Sequence, residues 1–532
     1  MTRGRAATAL AALLVFAALV LPATEENLNP LAFLRLPVEG LLAAVLVLVL
    51  PERVRRVAVV ACGVLAGVVA ILKIADLGFD AVLNRPFDLV LDWYLLGPAV
   101  DYLDVTLGAA AAVGAVVAAV LLAAGLLVLT TWAALRLSRV AVRHRTTTAR
   151  AVLLLAVVSI LVTVPGLPLV STSSATVAAD HVRQVQAGLH DQRVFAEQAA
   201  GDPFRDVAGE RLLTALRGKD VLITFVESYG RSALEHPELA PRIGPALDAG
   251  TTRLRAAGYG SRSGFLTSPV AGAGSWLAQA TLLSGLWIDN QLRYHTLLAS
   301  DRLTLGGAFR RARWRAVGVL PGITEAWPEG RFFDYDRIYA AGDLGYRGPR
   351  FGYATMPDQY TLATFQRTER QAPGRGPLMA AIPLVTSHSP WPAAPRPVPW
   401  DAVGDGAVFH SMPASDNQRM DSIFGSEPAA VRADYAQSLR YSLDTVVSYV
   451  ETHGDDNLVV VMVGDHQPAQ FVTGDNAGKD VPVSIITRDR EVLDRISGWA
   501  WEDGLKPGPR APVWPMSAFR DRFLTAFGPP AA

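Results

Sequence analysis

The sequence of 532 residues predicts an N-terminal transmembrane bundle of five helices followed by an α/β domain with a mostly parallel central sheet. Three observations carry that prediction. Apolar residues make up 51% of the chain and charged residues only 18%, and the apolar excess lies before residue 170. It falls into five segments, at residues 6–23, 36–50, 57–75, 107–135 and 151–170. One span needs roughly 20 apolar residues, so the second segment is short and the fourth generous. Beyond residue 200, short apolar runs alternate with helical patterns, as in a sheet built with crossover helices.

The loops between the segments alternate in charge. Arg3 and Arg5 precede the first; Arg53, Arg55 and Arg56 follow the second; Arg136, Arg139, Arg143, Arg145 and Arg150 fill the fourth gap. The alternate loops are acidic. One carries Glu25 and Glu26 with Arg35, the other Asp80, Asp88, Asp92 and Asp101 with Arg85. Basic loops stay cytoplasmic, which places the N-terminus inside and everything after residue 170 outside. The first segment also has the basic start of a signal peptide. An uncleaved anchor is preferred, because it keeps the five-span alternation. Glu39 and Lys73 are expected to reach the interface. Trp93 and Tyr94 suit a short interfacial helix in the outer loop.

Residues 171–217 read as a solvated linker helix, and the outer domain as 218–532. Basic and acidic side chains number 49 each, which gives no global signature for nucleic acid. Cys62 is the single cysteine and lies in an apolar segment, which excludes an intrachain disulfide and argues against thiol catalysis.

In the outer domain, apolar runs at 221–226, 317–320, 378–385, 458–463 and 481–487 predict strands, and 435–451 predicts an amphipathic helix. The first run ends in Glu227, the third is followed by His388, and the fourth ends in Gly464-Asp465-His466. Strand carboxyl ends are where α/β folds collect their sites, and carboxylates with an imidazole suit a divalent metal. Gly272-Ala273-Gly274-Ser275 precedes an apolar helix. Ser275 is thereby placed at a helix N-terminus, which favours an alkoxide and an incoming anion. The plain alternatives are a polar turn, a surface histidine and an N-cap serine.

Taken together, Phe225-Val226-Glu227-Ser228, Gly274-Ser275, Thr386-Ser387-His388-Ser389-Pro390 and Gly464-Asp465-His466 resemble the alkaline phosphatase–sulfatase superfamily. More narrowly they resemble its membrane-anchored lipoteichoic acid synthase-like branch, whose layout of five spans and an outer catalytic domain also matches. The resemblance implies an alkaline-phosphatase-like α/β fold and a bacterial plasma-membrane protein. It implies one divalent ion, usually manganese with zinc or magnesium as alternatives, held by Glu227, Ser275, Asp465 and His466. It makes Ser275 the nucleophile and gives His388 contact with the substrate or the leaving group. Trp327 and Arg331 resemble the branch's phosphate-binding pair at a spacing two residues wider, with Arg337 as competitor.

Sulfatases of the superfamily carry Pro and Arg two and four residues after the residue converted to formylglycine. Here those positions hold Leu277 and Gln279. The implied reaction is therefore metal-assisted phosphoryl transfer through phospho-Ser275, acting on phospholipid head groups or lipid-linked glycans. An ester hydrolase of the same superfamily and a non-catalytic membrane scaffold are the competing readings.

Overall fold

The computed structural model describes residues 2–24, 27–83, 85–163, 170–171, 173–391, 393–412, 427–474 and 477–529. The chain divides into two compact units, Met1–Asp191 and Gln192–Ala532.

The first unit is helical. Its helices are α1 (Thr2–Val20), α2 (Val38–Val49), α3 (Glu52–Leu83), α4 (Trp93–Leu107), α5 (Ala109–Arg143), α6 (Arg145–Thr163) and the start of α7 (Ser173–Ala200). Among the described residues, α3 and α5 are long and apolar enough to cross a membrane, and α2 and residues 4–20 are shorter apolar helices. Residues 164–169 of the fifth expected segment, and Glu25 and Glu26 of the first outer loop, lie outside the described residues. Only 6% of the most apolar window of α5 is buried, so Val116, Val120, Leu121 and Leu122 face outward. α3 passes close against α5 because Gly63 and Gly67 lack side chains there. A Cβ on Gly63 would come 2.7 Å from Thr131 Cα, and one on Gly67 2.8 Å from Thr130 Oγ1. Small residues allow such close helix approach where lipid supplies no hydrophobic drive.

Lys73 does not extend to an interface as its position suggests. Its ammonium is buried and donates to the Leu19 carbonyl and to the Ser173 and Ser174 hydroxyls at 2.9–3.0 Å. Three acceptors for three protons offset the loss of water. Glu39 turns inward too, accepting the Ala175 N–H at 2.9 Å.

The second unit holds, among the described residues, a nine-stranded sheet. Its strands are β1 (Asp220–Val226), β2 (Gly260–Thr267), β3 (Arg315–Leu320), β4 (Arg337–Ala340), β5 (Leu378–Leu384), β6 (Leu458–Gly464), β7 (Asp480–Thr487), β8 (Glu502–Asp503) and β9 (Val513–Pro515). The order is β8-β2-β7-β6-β1-β5-β3-β4, with β9 also on β2. The centre, β6-β1-β5-β3-β4, is parallel, while β7 pairs antiparallel with both β6 and β2. β1 and β6 are buried along their whole length, so each reads as a continuous apolar run. β2 (Gly-Ser-Arg-Ser-Gly-Phe-Leu-Thr) has no such run and gave no signal in the sequence.

The linker differs from its expected extent. α7 stops at Ala200, and Phe195, Ala199, Leu212, Leu213 and Leu216 are buried in the core of the second unit. These few large apolar residues were too widely spaced to mark a core segment.

The decisive feature is register. Val226, the last residue of β1, pairs with Leu384 of β5 on one side and Gly464 of β6 on the other. Three strands therefore end level. Gly464 has no room for a side chain, since a Cβ would lie 1.9 Å from the Tyr229 carbonyl oxygen. Gly464→Ala is expected to lower the stability of the second unit by about 1–3 kcal/mol, an overpacking cost. Chemical denaturation of the full chain measures it, and an unchanged midpoint would contradict this packing.

Candidate metal centre

Glu227 follows β1, Asp465 and His466 follow β6, and Ser275 opens helix α8 (Ser275–Ser284). Gly274, left-handed at φ 88°, is the N-cap and offers no side chain to the first turn. The Ser275 hydroxyl donates to Glu227 Oε2 at 3.0 Å and lies 3.1 Å from His466 Nε2. Ligand atoms of Glu227, Asp465 and His466 all lie within 4.8 Å of one another, and all three residues are buried. Four residues separated by up to 239 positions thus meet around one point.

Backbone groups and hydroxyls fix the cluster. The Ser228 N–H and the His466 N–H both donate to Asp465 Oδ1, at 2.8 and 2.7 Å. The Ser228 hydroxyl donates to Glu227 Oε1 at 2.9 Å, and the Tyr435 hydroxyl donates to the Ser228 carbonyl at 2.7 Å. Ser228 adopts a left-handed φ of 56° to make these bonds, a local strain typical of functional sites. Ser387 holds the Glu227 carbonyl and Ser268 the Asp465 carbonyl, at 2.7 and 2.6 Å. His466 Nδ1 donates to the Gln467 carbonyl at 2.8 Å, which aims Nε2 at Glu227 and Ser275. A histidine ligand needs such a partner behind it.

The electrostatics are those of a site built for positive charge. Burial pushes Asp465 up, the neighbouring Glu227 charge adds to it, and the carboxyl is raised to about 7. Burial acts the same way on Glu227, but His388 and His466 overcome it and hold that carboxyl below the ordinary range. Burial opposes a charged His466, yet Asp465 and Glu227 raise it to about 10. The side chains on their own therefore keep a proton on His466 Nε2. Two carboxylates, one Nε2 and a hydroxyl form a donor set that fits one divalent cation, which would take the place of that proton.

His388 lies at the end of β5 and acts electrostatically on Glu227. Its ring stacks on Tyr353, and Nδ1 faces the Ser389 carbonyl at 2.5 Å. Trp327 is part of an aromatic pocket with Trp276, Tyr294, Phe333, Tyr335, Phe225 and Gln279, and it stacks on Phe333. Trp276 directly follows Ser275, so this pocket adjoins helix α8. Arg331 is exposed on the turn Pro328–Phe333. Arg337 sits on edge strand β4, beside Asp343 at 3.8 Å and over the Tyr339 ring. Neither arginine is among the strongest charges acting on the cluster. Ser228, Ser268, Ser387 and Tyr435 were not singled out from the sequence. Ser228 and Ser387 stood inside the quoted motifs without a role of their own.

No family model matches this chain, and no curated protein matches it. Among solved structures it is similar to the lipoteichoic acid synthase LtaP from Listeria monocytogenes, at 14% identity and TM-score 0.39 over 60% of this chain and 74% of that one. It is similar to the soluble domain of lipooligosaccharide phosphoethanolamine transferase A from Neisseria meningitidis, at 12% and 0.39 over 58% and 88%. A third is the Streptococcus pyogenes phosphoglycerol transferase GacH in complex with sn-glycerol-1-phosphate, at 12% and 0.37 over 61% and 78%. At such identities and scores, function has to be read from the site itself.

Cation binding must displace the proton of His466 and, below about pH 7, that of Asp465. Affinity for Mn2+ is therefore expected to rise between pH 6 and pH 8, by roughly tenfold per unit if one proton is released. Calorimetry of the full chain in two buffers of different ionisation enthalpy reads both affinity and proton release. A flat profile would count against this donor set. Asp465→Asn and His466→Ala are each expected to abolish stoichiometric metal in elemental analysis.

Proposed function

We propose that this chain is a membrane-anchored, metal-dependent phosphotransferase acting on phospholipid head groups or lipid-linked envelope glycopolymers. The observation that carries the reading is the Ser275 hydroxyl, at a helix N-terminus, in contact with both Glu227 and His466 of a buried three-ligand cluster.

A divalent cation held by Glu227, Asp465, His466 and Ser275 would lower the hydroxyl pKa and screen the charge of a phosphodiester. The chain's residues do the rest. Glu227 Oε2 accepts the Ser275 proton as Oγ attacks phosphorus, and the bond from phosphorus to the leaving alcohol breaks. His388 gives that alcohol its proton, leaving a phosphate ester on Ser275. In the second half an acceptor hydroxyl loses its proton to His388 and attacks the ester, and Ser275 leaves with a proton. The α8 N-terminus favours the anion throughout. Trp327 and Arg331 are the proposed substrate contacts; Arg337, occupied by Asp343 and Tyr339, is the lesser choice.

The N-terminal unit is read as five spans in the plasma membrane, with the N-terminus cytoplasmic and the second unit outside. Alkaline phosphatase fusions after residues 144 and 180 are expected to be inactive and active, respectively. The opposite pattern would reverse the topology.

Brief incubation of the Mn2+-loaded protein with phosphatidylglycerol, then acid quench and peptide mass spectrometry, is expected to show phosphoglycerol on Ser275. Formylglycine at that position would instead indicate a sulfatase, and free phosphoglycerol without an acceptor product a hydrolase. Ser275→Ala is expected to reduce turnover by roughly a thousandfold or more while retaining the fold.

A further inference from the structure

The segment from Phe351 to Asp358 carries no sequence motif, yet it holds His388 from two sides. Tyr353 lies flat on the imidazole, with ring centroids 3.9 Å apart and planes at 17°. The Tyr353 loop is itself fixed. Phe351 N–H donates to the Ala354 carbonyl at 3.2 Å, Gly352 supplies the left-handed turn, and Phe351 and Met356 are buried. Thr355 ties the loop to the Pro321 carbonyl at 2.6 Å, just past β3.

The second hold is on the backbone. Asp358 opens helix α9 (Asp358–Phe365) and is fully buried. Its Oδ1 accepts the N–H groups of Val385 and Thr386, at 2.8 and 3.0 Å, where β5 gives way to the His388 turn. Its Oδ2 accepts the Ser442 hydroxyl at 2.6 Å, and its own N–H donates to Thr386 Oγ1 at 2.9 Å. The ring of His388 thus has a fixed base, a fixed face and one committed nitrogen. Nδ1 is held by the Ser389 carbonyl, which leaves Nε2 for the substrate.

We propose that Tyr353 is a positioning residue for His388, a planar wall that stops the imidazole turning away from the reacting oxygen. The inference rests on the phosphotransferase reading for its catalytic meaning but not for its geometry. An acid that must meet one oxygen gains from a ring that cannot rotate, because misplacement by about 1 Å costs up to a hundredfold.

Two substrates isolate the effect. Bis(p-nitrophenyl) phosphate releases an anion that needs no proton, whereas phosphatidylglycerol in vesicles releases an alkoxide that does. In the full-length Mn2+-loaded protein, Tyr353→Leu is expected to lower kcat on the lipid roughly tenfold, a part of the hundredfold or more that a general acid contributes. The single-turnover release of nitrophenolate, which precedes the half-reaction in which His388 acts as base, should stay within about threefold. Tyr353→Phe, which keeps the stack, should preserve both. In a His388→Ala background, Tyr353→Leu should cost nothing further. Equal losses on both substrates, or a Phe variant as impaired as Leu, would overturn the proposal. A readout without turnover separates the two ideas. Carbethoxylation of His388, followed by peptide mass spectrometry, should quicken several-fold in Tyr353→Leu and not in Tyr353→Phe. If the wild type turns over neither substrate but this change appears, the phosphotransferase reading fails and the positioning contact stands. If the rate does not change, the contact does not constrain the ring.

Discussion

The alignment of β1 with its two parallel neighbours is the constraint on which the site depends. Val226 faces both Leu384 and Gly464, so the chain leaves the sheet at one level three times. A shift of one residue in either pairing would turn every side chain of that strand to the other face. It would also separate Glu227 from Asp465. β1 and β6 are apolar on both faces, so side-chain shape and the polar residues at their ends, rather than alternating polarity, hold this register. Gly464 adds a steric condition, since only a residue without a side chain passes the Tyr229 carbonyl. Ser228 accepts a strained backbone so that one residue bonds both carboxylates. The strain costs of order 1 kcal/mol, and the bonds it permits to ionised groups offset it.

Packing brings the carboxylates together; charge then decides what they want. Glu227 and Asp465 are buried beside one another, and among the described residues neither has a guanidinium or ammonium in contact. The structure relieves the repulsion through His466, whose raised affinity for a proton is the measure of the unmet negative potential. Arginines elsewhere in the unit show what a purely structural solution looks like. Asp220 is buried too, but Arg370 and Arg375 reach it at 3.1 and 2.6 Å. The contrast separates a closed ion pair from a cluster whose positive partner is removable.

Much of this was legible in the sequence, for a physical reason. A strand buried on both faces must be apolar throughout, so its ends are visible, and polar residues at those ends invite a question. β1, β5, β6 and β7 announced themselves this way, and with them Glu227, His388, Asp465 and His466. Edge and half-buried strands such as β2 and β4 lack that pattern. Contacts made across the fold leave no local trace either: Asp358 reaches Val385 and Ser442 from 27 and 84 positions away. Lys73 misled because hydropathy sees an ammonium in an apolar helix and cannot see Leu19, Ser173 and Ser174 waiting for it.

Helix α8 shows how the chain's departures from the sulfatase pattern are absorbed. Leu277, where that pattern has proline, is buried in the core. Gln279, where it has arginine, lines the aromatic pocket with Trp276 and Trp327. An arginine at that position would place a charged head among Phe225, Tyr294 and Phe333, which disfavour it without a carboxylate partner. Both positions are therefore committed to packing. The Ser275 hydroxyl donates to Glu227 Oε2 at 3.0 Å and lies 3.1 Å from His466 Nε2. The packing that takes up Leu277 and Gln279 leaves the Ser275 hydroxyl in contact with the buried cluster.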